Sequence, residues 1–423
     1  MNKETSLKTK QIFTAHLIFT TLAILALTAA PSSSATQTAD HWVGTWATSA
    51  QSLDPTKAPP NAAPPPAFAD ATLRQIVHVS IGGQQIRVRF SNEFGSGPLV
   101  ISSAHVALSV GPGAIKPESD KALTFDGQPS VSIPPGAPMV SDPLDFNLAS
   151  LSDVVISIHL TSVPDIITTH PGSRATSYLQ TGDAVSVADL SQALHFDRWY
   201  FLSGIDVMAS NSSAAVVTFG DSITDGAQST TNANARWPDE LARRLQANKK
   251  TASIAVLNEG IGGNRLLHDM TGANALARLD RDVLAQSGVR WIIILEGIND
   301  IGGITLATQR HELPPSAEDV IAAYEQIIAR AHAHNIRVYG ATILPFEGAH
   351  YYSADGETER QKVNNWIRTS GKFDAVIDLD AATRDAKDPA HLIPIADSGD
   401  HLHPPDAGYK LMGDTVDLKL FGK

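Results

Sequence analysis

Ala214-Ala215-Val216-Val217-Thr218-Phe219 runs directly into Gly220-Asp221-Ser222-Ile223-Thr224-Asp225-Gly226. The first six residues form a nearly unbroken apolar run, the pattern of a parallel strand buried on both faces. Glycines on either side of Asp221–Asp225 permit a tight turn that presents Ser222 at the strand's carboxyl end. Ligand sites in open parallel sheets lie at that end. The stretch therefore predicts an α/β fold and also the edge of the sheet that carries the chemistry.

The same rhythm continues downstream. Residues 253–257, 291–295, 336–341 and 375–377 read as strands, and 237–246, 275–286, 316–334 and 357–370 read as helices. Pro315 and a Ser316/Asp319 cap signature open the third of these helices. Alternation of this kind implies a parallel sheet covered on both faces. Upstream, from about residue 40 to 210, short apolar runs are broken by Gly, Pro, Ser and Asp. Residues 73–81 and 85–90 read as a hairpin turning at Gly82-Gly83. Residues 99–108, 139–146 and 154–160 read as further strands, and 59–66 as a stiff surface loop. The expected organisation is an all-β sandwich-like domain over 40–210, then an α/β domain over 211–423.

Residues 1–35 carry Lys3, Lys8 and Lys10, an apolar stretch over 17–30, and then a crowd of small residues. This is the three-part pattern of a secretory signal peptide, with cleavage after Ala30 or Ala35. The expectation is export to the periplasm or the medium, with no stable membrane anchor after cleavage; an uncleaved anchor is the alternative. A net charge of −12 argues against a nucleic-acid surface. The absence of cysteine excludes disulfides, thiolate nucleophiles and Cys-ligated zinc. With 43% hydrophobic residues the chain can fill packed cores, which excludes a mainly disordered protein.

Three further stretches fall after strands or in the last loop: Asn258-Glu259-Gly260-Ile261-Gly262-Gly263-Asn264, Gly297-Ile298-Asn299-Asp300 and Asp400-His401-Leu402-His403-Pro404. Serine is a poor nucleophile until a base takes its proton. His403 can serve Ser222 in that way, and Asp400, three residues earlier, can fold back to orient the imidazole. The backbone N–H groups of Ser222 and Gly263 and the side-chain amide of Asn299 supply candidate oxyanion donors. Asp225 and Asp300 read equally well as structural. Gly260, Gly262 and Gly263 lack dinucleotide spacing, so no nucleotide cofactor is expected. His391, His401 and His403 lack a matching carboxylate ligand set, so no metal is expected. Trp42, Trp46 and Trp199 could stack on sugars, but core packing is the favoured role.

Taken together, Ser222 in GDSIT, Gly263 in NEGIGG, Asn299 in GIND and His403 in DHLH resemble the four blocks of the GDSL (SGNH) hydrolase family, from about Ala214 onward. His401 stands where that family often has glycine; the spacing from Asp400 favours His403 as the base. The resemblance implies a flavodoxin-like three-layer domain and an exported serine esterase working through an acyl-enzyme. Trp42-Val43-Gly44-Thr45-Trp46, Leu73-Arg74-Gln75, Arg89-Phe90-Ser91-Asn92 and Ser173-Arg174-Ala175-Thr176 resemble a β-rich region that precedes this domain in some secreted bacterial members. That similarity implies a polysaccharide or small-molecule ester substrate, with O-acetyl or short acyl groups on carbohydrate favoured. The alternatives are a lipase acting on longer acyl esters, a carbohydrate-binding protein with an inactive hydrolase-like domain, and a metal-dependent hydrolase.

Overall fold

Strand β1 (His41–Ala47), β2 (Ala71–His78) and β3 (Gly83–Ser91) begin the β-rich part, followed by β4 (Leu99–Gly111), β5 (Asp153–Ser162), β6 (Ser177–Thr181) and β7 (Leu202–Ala209). The computed structural model describes residues 40–57, 64–309 and 314–422. The expected export segment and most of the 59–66 loop lie outside the described residues. Period-two alternation shapes these strands. In β3, Ile86, Val88 and Phe90 are fully buried, while Arg87 and Arg89 between them reach the buried carboxylate of Asp206. One antiparallel sheet runs β1-β7-β3 and continues to Leu144–Leu148; a second contains β6-β2-β5-β4.

The hairpin expected at Gly82-Gly83 does not form, because β2 and β3 lie in different sheets. A two-residue hairpin turn needs positive φ, and neither glycine has it. Val79, Ser80 and Ile81 instead carry the chain across between sheets, with Ser80 N–H and Ile81 N–H held by Thr45. Gly82 permits a close approach there: a Cβ would lie 2.2 Å from the Leu148 carbonyl oxygen. Residues 139–146, read as one strand, are parts of two, Pro138–Val140 and Leu144–Leu148. The break falls at Ser141 and Asp142, whose side chains accept the N–H groups of Val88, Asp126 and Gly127.

The second part has strands β8 (Ala214–Gly220), β9 (Ile254–Gly260), β10 (Val289–Leu295), β11 (Arg337–Ala341) and β12 (Ala375–Ile377), all parallel, in the order β9-β8-β10-β11-β12. The chain leaves β8 for β9 on one side and then crosses to β10 on the other. The crevice between the carboxyl ends of β8 and β10 is thus the switch point at which such sheets take ligands. Helices α1 (Ser222–Asp225), α2 (Trp237–Ala247), α3 (Ala275–Leu279), α4 (Ile298–Gln309), α5 (Ala317–Ala333), α6 (Ala354–Thr369), α7 (Leu379–Thr383) and α8 (Asp406–Thr415) connect and follow the strands. The helix expected over 275–286 is shorter: α3 passes into a wider turn at Asp280–Leu284. The Ser316/Asp319 capping box is present at the start of α5.

The two parts pack as one compact unit around a continuous core in which Val43 and Trp46 of β1 join Val256 and Leu257 of β9. Gly44 N–H donates to the Ser287 carbonyl (2.9 Å), and Val256 N–H donates to Ser80 Oγ (3.0 Å). The β-rich part therefore covers the edge strand β9, which would otherwise offer unpaired backbone groups to another chain. Trp46 and Trp199 are buried and meet edge to face with centroids 4.9 Å apart, a core role. Among the described residues no helix is long and apolar enough to cross a membrane.

Candidate active site

Ser222 opens α1 directly beyond β8. Asp221 is the N-cap, its carboxylate accepting the Ile223 N–H (2.9 Å), and Gly226 ends the helix at φ 96°, a left-handed conformation that suits glycine. Gly226 N–H returns to the Ser222 carbonyl (2.9 Å). The short sequence Asp-Ser-Ile-Thr-Asp-Gly is thus a single helical turn with both ends closed, and it fixes where the Ser222 hydroxyl points.

His403 comes from the loop before α8. Its Nε2 lies 2.8 Å from Ser222 Oγ, and its Nδ1 lies 2.7 Å from Asp400 Oδ2. Asp400 Oδ1 accepts the N–H groups of Leu402 and His403 (3.0 and 2.8 Å), so the three-residue spacing closes a turn around the carboxylate. Partial burial pushes the Asp400 carboxyl up, but the His403 N–H, the His403 ring and the Leu402 N–H outweigh it and hold it well below the ordinary carboxylate range. His401, the other candidate base, faces away to Asp397 (2.7 Å). His391 lies beside Asp388 and Glu347 (3.0 and 3.6 Å), two carboxylates that the sequence pattern did not place there because Glu347 is distant in the chain.

Gly263 follows β9 with φ 72°. A Cβ there would meet Thr271 Oγ1 at 2.9 Å, so the loop demands glycine. Thr271 Oγ1 donates to the Gly262 carbonyl, and Gln51 of the β-rich part donates to the Thr271 carbonyl. Among the described residues, neither the Ser222 nor the Gly263 N–H donates to a backbone carbonyl. Asn299, at the start of α4, donates through Nδ2 to the Asn264 carbonyl (2.9 Å), which leaves one amide hydrogen for a ligand. Tyr351 O–H donates to Asn299 Oδ1 (3.3 Å) and so orients that amide.

Behind these groups lies buried charge. Arg278, fully buried, donates to the carbonyls of Gly220 (3.0 Å) and Glu259 (2.7 Å) and to Asn264 Oδ1 (2.8 Å), tying the loops after β8 and β9 together. Glu296 sits 3.8 Å from its guanidinium. Burial raises the Glu296 carboxyl well above its usual range, and neighbouring Asp221 adds to the effect. Burial likewise pushes Asp221 up to about 7. Asp300 accepts the N–H groups of Leu266 and Leu267 (2.8 and 3.1 Å), yet burial still pushes it up to about 6. Asp300 therefore braces the loop after Gly263.

Tyr351, Gln228 and the Gln51–Thr271 brace were not singled out in the sequence. Gln228 Nε2 reaches Asp400 Oδ2 at 3.5 Å. None carries a local motif; their partners are distant in the chain. The arrangement supplies a hydroxyl, a ring nitrogen placed to take its proton, a carboxylate on the other ring nitrogen, and candidate donors at neighbouring strand ends.

Residues 218–411 match the family model of the GDSL-like lipase/acylhydrolase family. No curated protein matches the chain significantly. Similar solved structures include a catalytic mutant of an acetylxylan esterase from Geobacillus stearothermophilus (20% identity, 48% of this chain and 91% of that chain, TM-score 0.37). Another is an alpha/beta hydrolase enzyme from the metagenome of Lake Arreo, Spain (20% identity, 48% of this chain and 94% of that chain, TM-score 0.37). The segment from 218 to 411 is a GDSL-like lipase/acylhydrolase domain, and the protein is a hydrolase of ester bonds.

Proposed function

We propose that Ser222 is the nucleophile of an exported serine esterase. Its Oγ attacks the ester carbonyl carbon while His403 Nε2 takes the proton. Asp400, accepting the Nδ1–H, holds the ring and stabilises the imidazolium. The Ser222 and Gly263 N–H groups and the free Asn299 amide hydrogen receive the oxyanion. The leaving alcohol takes the proton from His403, and the C–O bond to it breaks. Water then attacks the acyl-enzyme with His403 again as base, releasing the carboxylic acid and restoring Ser222. The observation that carries this reading is the continuous contact Ser222 Oγ–His403 Nε2–Nδ1–Asp400 Oδ2, with separations of 2.8 and 2.7 Å.

The substrate we favour is an O-acetyl or other short acyl ester on carbohydrate, either a small molecule or a polysaccharide. The motifs shared with a β-rich region that precedes such domains support it. The same reading takes residues 40–210 as a β-sandwich-like domain and 211–423 as a flavodoxin-like three-layer domain. The parallel order β9-β8-β10-β11-β12 supports that layering. It takes residues 1–35 as a signal for export to the periplasm or medium. Hydrolysis of p-nitrophenyl acetate, butyrate and palmitate by the protein and by Ser222→Ala, with and without chelator, tests the proposal. Chelator-resistant activity that falls with chain length and vanishes in Ser222→Ala is expected. Preference for palmitate would turn the reading to a lipase, and activity surviving in Ser222→Ala would refute the nucleophile.

A further inference from the structure

His170 ends the strand Ile167–His170 of the β-rich part and is buried, as is Asp225, the last residue of α1. Its Nδ1 lies 2.9 Å from the Ser49 carbonyl oxygen, and its Nε2 lies 3.0 Å from Asp225 Oδ1. A carbonyl oxygen only accepts, so Nδ1 carries a proton. Nε2 and Asp225 Oδ1 then hold a second proton between them, whichever atom bears it. The other oxygen of Asp225 accepts the Gly262 N–H (3.1 Å), the residue before the candidate oxyanion donor Gly263. Gly172 approaches the carboxylate closely: a Cβ there would fall 1.8 Å from Asp225 Oδ2. One oxygen of the carboxylate is committed to each part of the protein.

We infer that His170 is a positioning residue for ester hydrolysis: through Asp225 it sets the Gly262-Gly263 loop against α1, so that the β-rich part builds one side of the oxyanion site. The inference rests on the reading of Ser222 and Gly263 given above. Its physical basis is that an oxyanion donor acts only when fixed where charge develops. A partner at 170 that no longer reaches Asp225 Oδ1 leaves that oxygen unpaired and loosens the hold of the carboxylate on the Gly262 N–H.

The test uses the intact protein and p-nitrophenyl acetate. In His170→Gln the side-chain amide reaches the place of Nε2 and still donates to Asp225. In His170→Asn the amide takes the place of Nδ1, keeping Ser49 and losing Asp225. The expected result is kcat within about 5-fold of the parent for His170→Gln and about 10- to 100-fold lower for His170→Asn, with KM changed little, since a displaced donor loses part of the ~10²–10³ that a missing one costs. Asp225→Ala, which removes both carboxylate oxygens, is expected to lose at least as much as His170→Asn, and the double variant to be no worse than Asp225→Ala alone. This arm also carries the test if His170→Asn fails to fold. Unchanged kcat in Asp225→Ala, equal losses in His170→Gln and His170→Asn, or additive losses in the double variant would overturn the inference. Ser222→Ala in the same assay separates the two readings. Activity surviving there removes the nucleophile itself; activity lost there beside normal turnover of Asp225→Ala removes only the role of His170.

Discussion

Asn299 shows how one side chain is shared between structure and chemistry. One amide hydrogen is committed to the Asn264 carbonyl and the carbonyl oxygen to Tyr351, so only the second hydrogen is left for an oxyanion. Asn299→Ala is expected to lower kcat by about 10²–10³ with little change in KM, the signature of a contact made in the transition state. Tyr351→Phe removes only the hydroxyl that steers the amide. A lost neutral hydrogen bond is worth about 1 kcal/mol, so steady-state kinetics should show a roughly 5-fold fall in kcat. Asp400 was legible in the sequence because it lies three residues before His403, and Ser222 and His403, though 181 residues apart, were legible because each sits in a short motif at a strand end or in the last loop. Tyr351 was not, because its partner lies 52 residues away with no periodic pattern between them.

At the scale of elements, the close approach of strands decides which residues are tolerated. Gly220 pairs with both Gly260 and Leu295 at the end of β8. A Cβ at Gly220 would lie 2.2 Å from the Leu295 carbonyl oxygen and 2.4 Å from Thr224 Oγ1. Gly220→Ala is therefore expected to destabilise the fold by about 1–3 kcal/mol, the usual cost of overpacking, measured by denaturant unfolding. An unchanged midpoint would show that the strands can part. The parallel strands were legible because burial on both faces leaves a run of apolar residues. The Gly82-Gly83 pair misled because its sequence is that of a turn, while its physical role is a close crossing between sheets, and only the distant Leu148 carbonyl reveals which. The pairing of β2 with β5 and of β3 with β7 is likewise set by tertiary partners, outside the reach of local pattern.

Across the whole molecule, buried carboxyls set the response to pH. Asp221 and Asp300 are raised by burial to about 7 and about 6. The folded state keeps protons there that the unfolded chain gives up near 3.8. Their contribution is thus fully present below that value and is lost as pH rises through about 6 and about 7. Asp400 is lowered, so its contribution is present above 3.8 and is lost as pH falls through its depressed folded value. The thermal midpoint is expected to decline between about pH 5 and about pH 8, and less steeply in Asp221→Asn, which retains an N-cap side chain. Equal slopes in both proteins would contradict the assignment to Asp221. One core joins the β-rich part to the parallel sheet, and His170 and Gln51 reach the loops around Ser222, so the fold and the proposed catalysis depend on the same interface. The most direct measurement is mass spectrometry of the intact protein after reaction with an organophosphonate ester, followed by mapping of the adduct. One adduct on Ser222 is predicted, absent in Ser222→Ala and formed at least about 100-fold more slowly in His403→Ala, in line with the ~10²–10⁴ that general base catalysis supplies. An adduct on another residue, or undiminished labelling of either variant, would contradict a Ser222 nucleophile activated by His403.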